Sequence, residues 1–153
     1  MISRKLGIAA VVAAGVAGSA VLATRLFAEG RYYPVTDPVT AKECSACHML
    51  YPAGLLAASS WKRIVDGLAN HFGENASVDA ATAKKLADYL TANGGSESYG
   101  GGASPLRITE LGWFQKEHGR RITPASLQRT GAKSAADCLS CHKDGERGNF
   151  DDD

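Results

Sequence analysis

The sequence predicts a mostly α-helical protein in two small lobes, a helical first lobe and a second lobe with few helices and much irregular structure. Three observations carry this expectation. Two stretches of the first half place apolar residues at helical spacing, no convincing strand pattern precedes either pair of cysteines, and a Gly/Ser-rich run separates the halves. That run, Asn93 to Pro105, divides the chain into an N-terminal segment 1–28, a first lobe 29–93, a flexible linker 94–104 and a second lobe 105–153.

The N-terminal segment reads as an export signal. Met1 to Lys5 is a positive n-region, Leu6 to Leu22 is apolar or small throughout, and small-residue cleavage sites follow at Val21-Leu22-Ala23 and Leu26-Phe27-Ala28. The 17 residues from Leu6 to Leu22 exceed the usual h-region and touch the lower limit of about 17 for a membrane span. The segment is therefore either a cleaved signal peptide or a retained membrane tether through residues 6–22. Both readings put the rest of the chain in the periplasm, or facing it from the membrane. Cleavage before Glu29 leaves 14 basic against 16 acidic residues, a net charge of −2. Such a chain has no basic patch for nucleic acid. Lys84-Lys85 and Arg120-Arg121 are isolated pairs on solvated faces, and Asp151-Asp152-Asp153 is a solubilising tail.

The chemistry lies in a pattern that occurs twice. Cys44-Ser45-Ala46-Cys47-His48 and Cys138-Leu139-Ser140-Cys141-His142 both read Cys-x-x-Cys-His, and together they use all four cysteines. This is the signature of covalent haem attachment, with two thioether bonds from the thiols and iron ligation by the histidine. Cysteines three residues apart in a helical turn project to one side, and the adjacent histidine can then reach the iron. Two disulfides would leave the histidine after each pair unexplained. A four-cysteine zinc site needs its pairs about 15–20 residues apart, far closer than here, and a redox dithiol needs a strand–helix context. Thr40 with Glu43, and Ser134 with Asp137, resemble capping boxes, so each attachment segment is expected to open a short capped helix.

Two of the four histidines, His71 and His118, remain for the two distal iron positions. A helix from about Trp61 towards Phe72, capped by Ser59 or Ser60, puts Trp61, Ile64, Val65 and Leu68 on one face with His71. Met49 adjoins His48 and cannot reach the opposite haem face. A helix from Asp79 to Leu90 carries Ala83, Leu86, Ala87 and Leu90 on one stripe and ends at Asn93-Gly94. In the second lobe, Thr109 caps a short helix with Leu111, Phe114 and His118 on one face. Proximity pairs His71 with the first haem and His118 with the second, and a crossed arrangement stays open. Lobes this small bury little apolar surface by themselves, and a clamped haem would complete each core.

These residues resemble the dihaem cytochrome c family. The resemblance covers nearly the whole exported sequence. It rests on Glu43 to Pro52, Gly54-Leu55-Leu56, Ser60-Trp61, His71 to Glu74, Pro105 to Thr109, Trp113-Phe114, Glu117-His118, Cys138 to His142 and Glu146-Arg147-Gly148. It implies a small cytochrome c-like helical lobe beside a second haem lobe. It also implies two covalently bound haem c groups, held at Cys44, Cys47, Cys138 and Cys141, with His48, His71, His118 and His142 as iron ligands. The implied activity is outer-sphere electron transfer rather than enzymatic turnover. The implied partners are a membrane cytochrome b as donor and a small soluble cytochrome as acceptor. An alternative is a dihaem enzyme or gas sensor in which His71 or His118 detaches, and a third is a subunit of a membrane complex held by residues 6–22.

Overall fold

The computed structural model describes residues 32–151, so the expectations for residues 1–28 and for Asp152 and Asp153 lie outside the described residues. Five α-helices and six short 3₁₀ turns make up the regular structure, and no strand occurs among the described residues. The fold is mostly helical with long irregular connections. No described helix is long and apolar enough to cross a membrane.

Helix α1 spans Pro38–Cys44 and begins earlier than the predicted capping box. Asp37 is its N-cap, accepting from the amides of Val39 and Thr40, and Pro38 takes the first position, where its fixed φ and missing N–H cost nothing. Thr40 is an interior, fully buried helical residue rather than a cap. The helix therefore ends at the first cysteine pair instead of opening there. The second expected box caps no helix. Ser134 Oγ accepts from the Ala136 amide and Asp137 Oδ2 from the Lys133 amide, which makes a local turn leading into the 3₁₀ turn Cys138–Ser140.

Helix α2 spans Ala58–Asp66 and has Ala57, without a side-chain cap, at its N-terminus. Ser59 and Ser60, expected as caps, reach out of the helix instead. Ser59 Oγ donates to Glu97 at 2.6 Å and Ser60 Oγ to the Gly100 carbonyl at 2.5 Å. Arg63 adds bonds to the carbonyls of Gly102 and Ser104. The segment read as a flexible linker is thus fastened along α2, and it contains a 3₁₀ turn at Glu97–Tyr99. The helix also stops short of its predicted end. Gly67 closes it by donating to the carbonyls of Arg63 and Ile64, and a 3₁₀ turn at Leu68–Asn70 follows.

Helix α3 spans Ala80–Asn93, with Asp79 as an N-cap bonded to Ala81 and Thr82, as its sequence pattern predicts. It packs against α2 and α1. Helix α4 spans Gly112–His118. Thr109 lies before it in a 3₁₀ turn, and Leu111 takes the N-cap position without a side-chain bond. Helix α5, Pro124–Thr130, was not expected; it has a Thr123/Ser126 capping box, Pro124 at its start and a left-handed Gly131 at its end.

One apolar cluster runs through both halves: Ala53, Leu56, Trp61, Ile64, Val65, Leu86 and Leu90 meet Leu111 and Phe114. Burying each such side chain stabilises the fold by about 1.5–3 kcal/mol. Trp61 is anchored within it by a 2.6 Å bond from its indole nitrogen to the Ala53 carbonyl. The two ends of the described chain also meet. The Tyr32 amide donates to the Gly148 carbonyl at 2.6 Å, and the Tyr32 ring packs edge-on against Phe150. Gly148 is required there, because its φ is +79° and a Cβ would collide with the Tyr32 carbonyl oxygen.

Candidate functional site

The two cysteine motifs adopt different local structures. The first leaves the C-terminus of α1: Cys44 is the last helical residue and Ser45 its C-cap, so Cys47 and His48 lie in the turn beyond. The second closes on itself, with the amides of Cys141 and His142 both donating to the Cys138 carbonyl. A common pattern of exposure survives this difference. Cys44 and Cys138 are half-buried, whereas Cys47 and Cys141 face solvent. All four are free of disulfides. Burial pushes the Cys44 thiol up, and carries that of Cys138 to about 11. A reactive redox dithiol has the opposite property, a lowered pKa.

The fold collects the four histidines into two pairs. The rings of His48 and His71 have centroids 6.3 Å apart and planes 25° from parallel. Those of His118 and His142 are 5.9 Å apart at 82°. A metal–imidazole bond is about 2 Å and the ligating nitrogen lies about 1 Å from its ring centre, so two imidazoles sharing one metal across it stand roughly 6 Å apart. Both pairs have that span. The pairs are local to each half of the chain. No cluster of three or more His, Cys, Asp or Glu side chains suited to a metal ion exists among the described residues. A metal held by either pair therefore needs its other ligands from elsewhere, as a porphyrin supplies them.

Each imidazole is oriented by its surroundings. His48 Nδ1 lies 2.7 Å from the Met49 carbonyl, a contact that makes Nδ1 the protonated nitrogen and leaves Nε2 for a metal. The Tyr51 ring packs beside His48 at 4.8 Å. Tyr51 is half-buried, which is the main reason its hydroxyl is raised to about 12, so it remains a donor at neutral pH. His71 is not on a helix face, as the sequence suggested. It sits in a tight loop, exchanging backbone hydrogen bonds with Glu74. Its pKa is lowered by burial first and then by His48 and Arg107, which favours the neutral, metal-binding form. Phe72, next to it, has a φ of +58°, a left-handed conformation that a bulky residue rarely adopts, and its ring lies under Arg107 at 4.4 Å.

His118 ends α4 and stacks on Phe114, with centroids 4.4 Å apart and planes within 12°. His142 meets the Phe150 ring at 5.4 Å. Near this second pair, Trp113 Nε1 and His118 Nδ1 are buried without a protein partner. Leaving such a polar atom unsatisfied costs about 1–3 kcal/mol, so a bound group with hydrogen-bonding atoms fits here. Tyr51, Phe72, Arg107 and Phe150 shape the two sites and were not singled out as site residues from sequence. Only the left-handed backbone at Phe72 and the ring contacts reveal them.

Comparison with known proteins places the chain in a family. Residues 40–150 match the profile of the family described as dihaem cytochrome c. A crystal structure of a dihaem cytochrome c purified from Rhodobacter sphaeroides is 47% identical, with 76% of this chain and 99% of that one covered and a TM-score of 0.67. A dihaem c-type cytochrome from Shewanella baltica OS155 is 33% identical, covering 74% of this chain and 86% of that one, with a TM-score of 0.64. No curated protein matches the chain at a significant level.

Proposed function

The chain belongs to the dihaem cytochrome c family, and we propose that it carries electrons outside the cytoplasm, from a membrane cytochrome b or quinol-level donor to a small soluble acceptor cytochrome. Membership in that family means two covalently attached haem c groups, at Cys44 and Cys47 and at Cys138 and Cys141. In this reading His48 and His71 ligate the first iron, and His118 and His142 the second. Bound there, the haems supply one-electron ferric/ferrous chemistry, at a lower potential than methionine as sixth ligand would give.

The observation that carries the reading is the pairing of all four histidines at the span of a shared metal. Two protein ligands per iron leave no position for a substrate, so the work of the side chains is to hold imidazoles still and exclude water. The Met49 carbonyl and the Tyr51 ring hold His48; Phe114 holds His118; Phe150 flanks His142. Met49 follows His48 directly in the chain. It is buried at 9% exposure and directed towards Gly145, where an added Cβ would lie 3.5 Å from its terminal methyl. The location and the membrane tether rest on the charged and apolar pattern of residues 1–28 alone.

Carbon monoxide added to the dithionite-reduced holoprotein tests the function. An unchanged absorption spectrum is expected, because both irons keep two strong ligands. Binding of one carbon monoxide per molecule would replace this reading with that of a dihaem enzyme or gas sensor. The variant His71→Ala, assembled with both haems, should bind one carbon monoxide and so identify the ligand.

A further inference from the structure

The two attachment segments, distant in sequence, touch through one side chain. Tyr51 lies three residues after His48, and its ring packs against that imidazole at 4.8 Å. Its hydroxyl donates at 2.9 Å to the carbonyl of Ala136, 85 residues further along the chain. That carbonyl stands two residues before Cys138, whose Sγ lies 3.5 Å from it. One residue thus contacts the proximal histidine of the first site and the strand of chain that presents the first cysteine of the second. Met49, between His48 and Tyr51, reaches Gly145 on the far side of the same motif. Ala135, next to the Ala136 carbonyl, packs against the helical core, so the hydroxyl bond adds direction to an apolar contact. The second motif lies in a 3₁₀ turn that packs on the turn Gly145–Arg147.

We propose that Tyr51 is a positioning residue for electron exchange between the two haem centres, holding the second attachment segment against the first through the Ala136 carbonyl. This rests on the ligand reading given above for His48. In the step it serves, one electron leaves the reduced centre and enters the oxidised one. No proton moves, and Tyr51 keeps both its hydrogen and its electrons. Its contribution is a directed restraint on the separation of the two groups, added to the contact of Met49 with Gly145 and the packing of Ala135 on the core. Outer-sphere transfer falls steeply with separation, so a loosened junction slows it.

The test uses the complete dihaem protein and three variants. Tyr51→Phe keeps the ring against His48 and removes only the tether. Tyr51→Leu removes both. Trp61→Phe removes a buried bond of the core, to the Ala53 carbonyl, and leaves the Tyr51 tether in place. Intramolecular exchange after pulse reduction, the dipolar coupling between the two ferric centres, and native-state hydrogen exchange of the amides from 137 to 142 are measured on each. Tyr51→Phe should slow exchange between the haems several-fold, weaken the coupling and speed hydrogen exchange of those amides. Tyr51→Leu should do more, and Trp61→Phe should leave the first two readouts unchanged. Wild-type exchange and coupling in Tyr51→Phe, with both irons still low-spin, would overturn the positioning role alone. A wild-type iron that lacks two histidines would overturn the ligand reading, and the proposal with it.

Discussion

The two histidine pairs have almost the same reach and opposite geometry. His48 and His71 face each other 25° from parallel, whereas His118 and His142 cross at 82°. Their distal residues are also supported differently. His118 belongs to the last turn of α4 and is stacked flat on buried Phe114. His71 stands in a loop between the 3₁₀ turn Leu68–Asn70 and a left-handed Phe72, with turn hydrogen bonds to Glu74 and the Phe72 ring 4.8 Å away. Near-parallel imidazole planes separate the energies of the iron orbitals that they overlap, and crossed planes leave them nearly equal. If both pairs ligate iron as proposed, the same residue type would give two unequal centres, one set by a loop and one by a helix.

The strongest way to break the comparison is to change one ligand type. His118→Met should raise the reduction potential of one haem by on the order of hundreds of millivolts, within the roughly 0.8 V that axial ligands span, and leave the other unmoved. A spectroelectrochemical titration reads both. If both potentials rise together, the two centres are not the separate units that their ring pairs suggest.

Next in size is the closure behind the second pair. Gly148→Ala forces a left-handed conformation on alanine and drives its Cβ into the Tyr32 carbonyl. A strained residue of this kind costs roughly 1–3 kcal/mol. The loss should appear as a lower thermal midpoint and as a shift in the second haem's spectrum, because Phe150 packs on both Tyr32 and His142. The first haem should be unaffected.

How much of this was legible in the sequence follows the range of the interactions concerned. The cysteine pairs of the attachment motifs and helix α3 depend on neighbours in the chain and are legible there, whereas the capped helices expected to open at the motifs do not form. The beginning of α2 is not legible there, because Ser59 and Ser60 spend their hydroxyls on Glu97 and Gly100, some forty residues away. The same bonds explain why a Gly/Ser-rich run that composition marks as flexible lies fastened along a helix. Gly67 breaks the helix inside an apolar stripe whose period continues through it to His71. Helix α5 was missed for the opposite reason. Its Thr123-Pro124 start and Gly131 stop are plain signals, but it buries no residue and so shows no apolar period. Counting histidines was enough to nominate the four rings that the fold brings together; the angle between their planes is purely tertiary.

That angle can be sharpened through its support. The ferric protein should show two distinct low-spin electron paramagnetic resonance signals, with the more anisotropic one from the crossed pair. Phe114→Leu removes the ring that fixes His118 while nearly conserving volume, so the stability loss should be about 1 kcal/mol. The anisotropic signal should broaden or move towards the other, which should itself stay where it is. A change in the near-parallel signal instead would assign the planes the other way round.

The smallest expected effect lies at the first pair. Arg107 covers Phe72 and pairs with Glu110 at 3.7 Å, both at an exposed position where such a cation–π contact contributes about 0.5–1 kcal/mol. Its positive charge also disfavours the ferric state of a nearby iron. At a separation of roughly 10 Å in water-like surroundings the interaction is about 0.4 kcal/mol, or about 20 mV for one electron. Arg107→Gln should therefore lower the first haem's potential by about that amount at low salt and leave the second unchanged. The difference should fade as ionic strength shortens the Debye length below about 10 Å. A larger fall that persists in salt would mean that Arg107 acts through Phe72 on the position of His71, and that the loop-held ligand is the softer of the two.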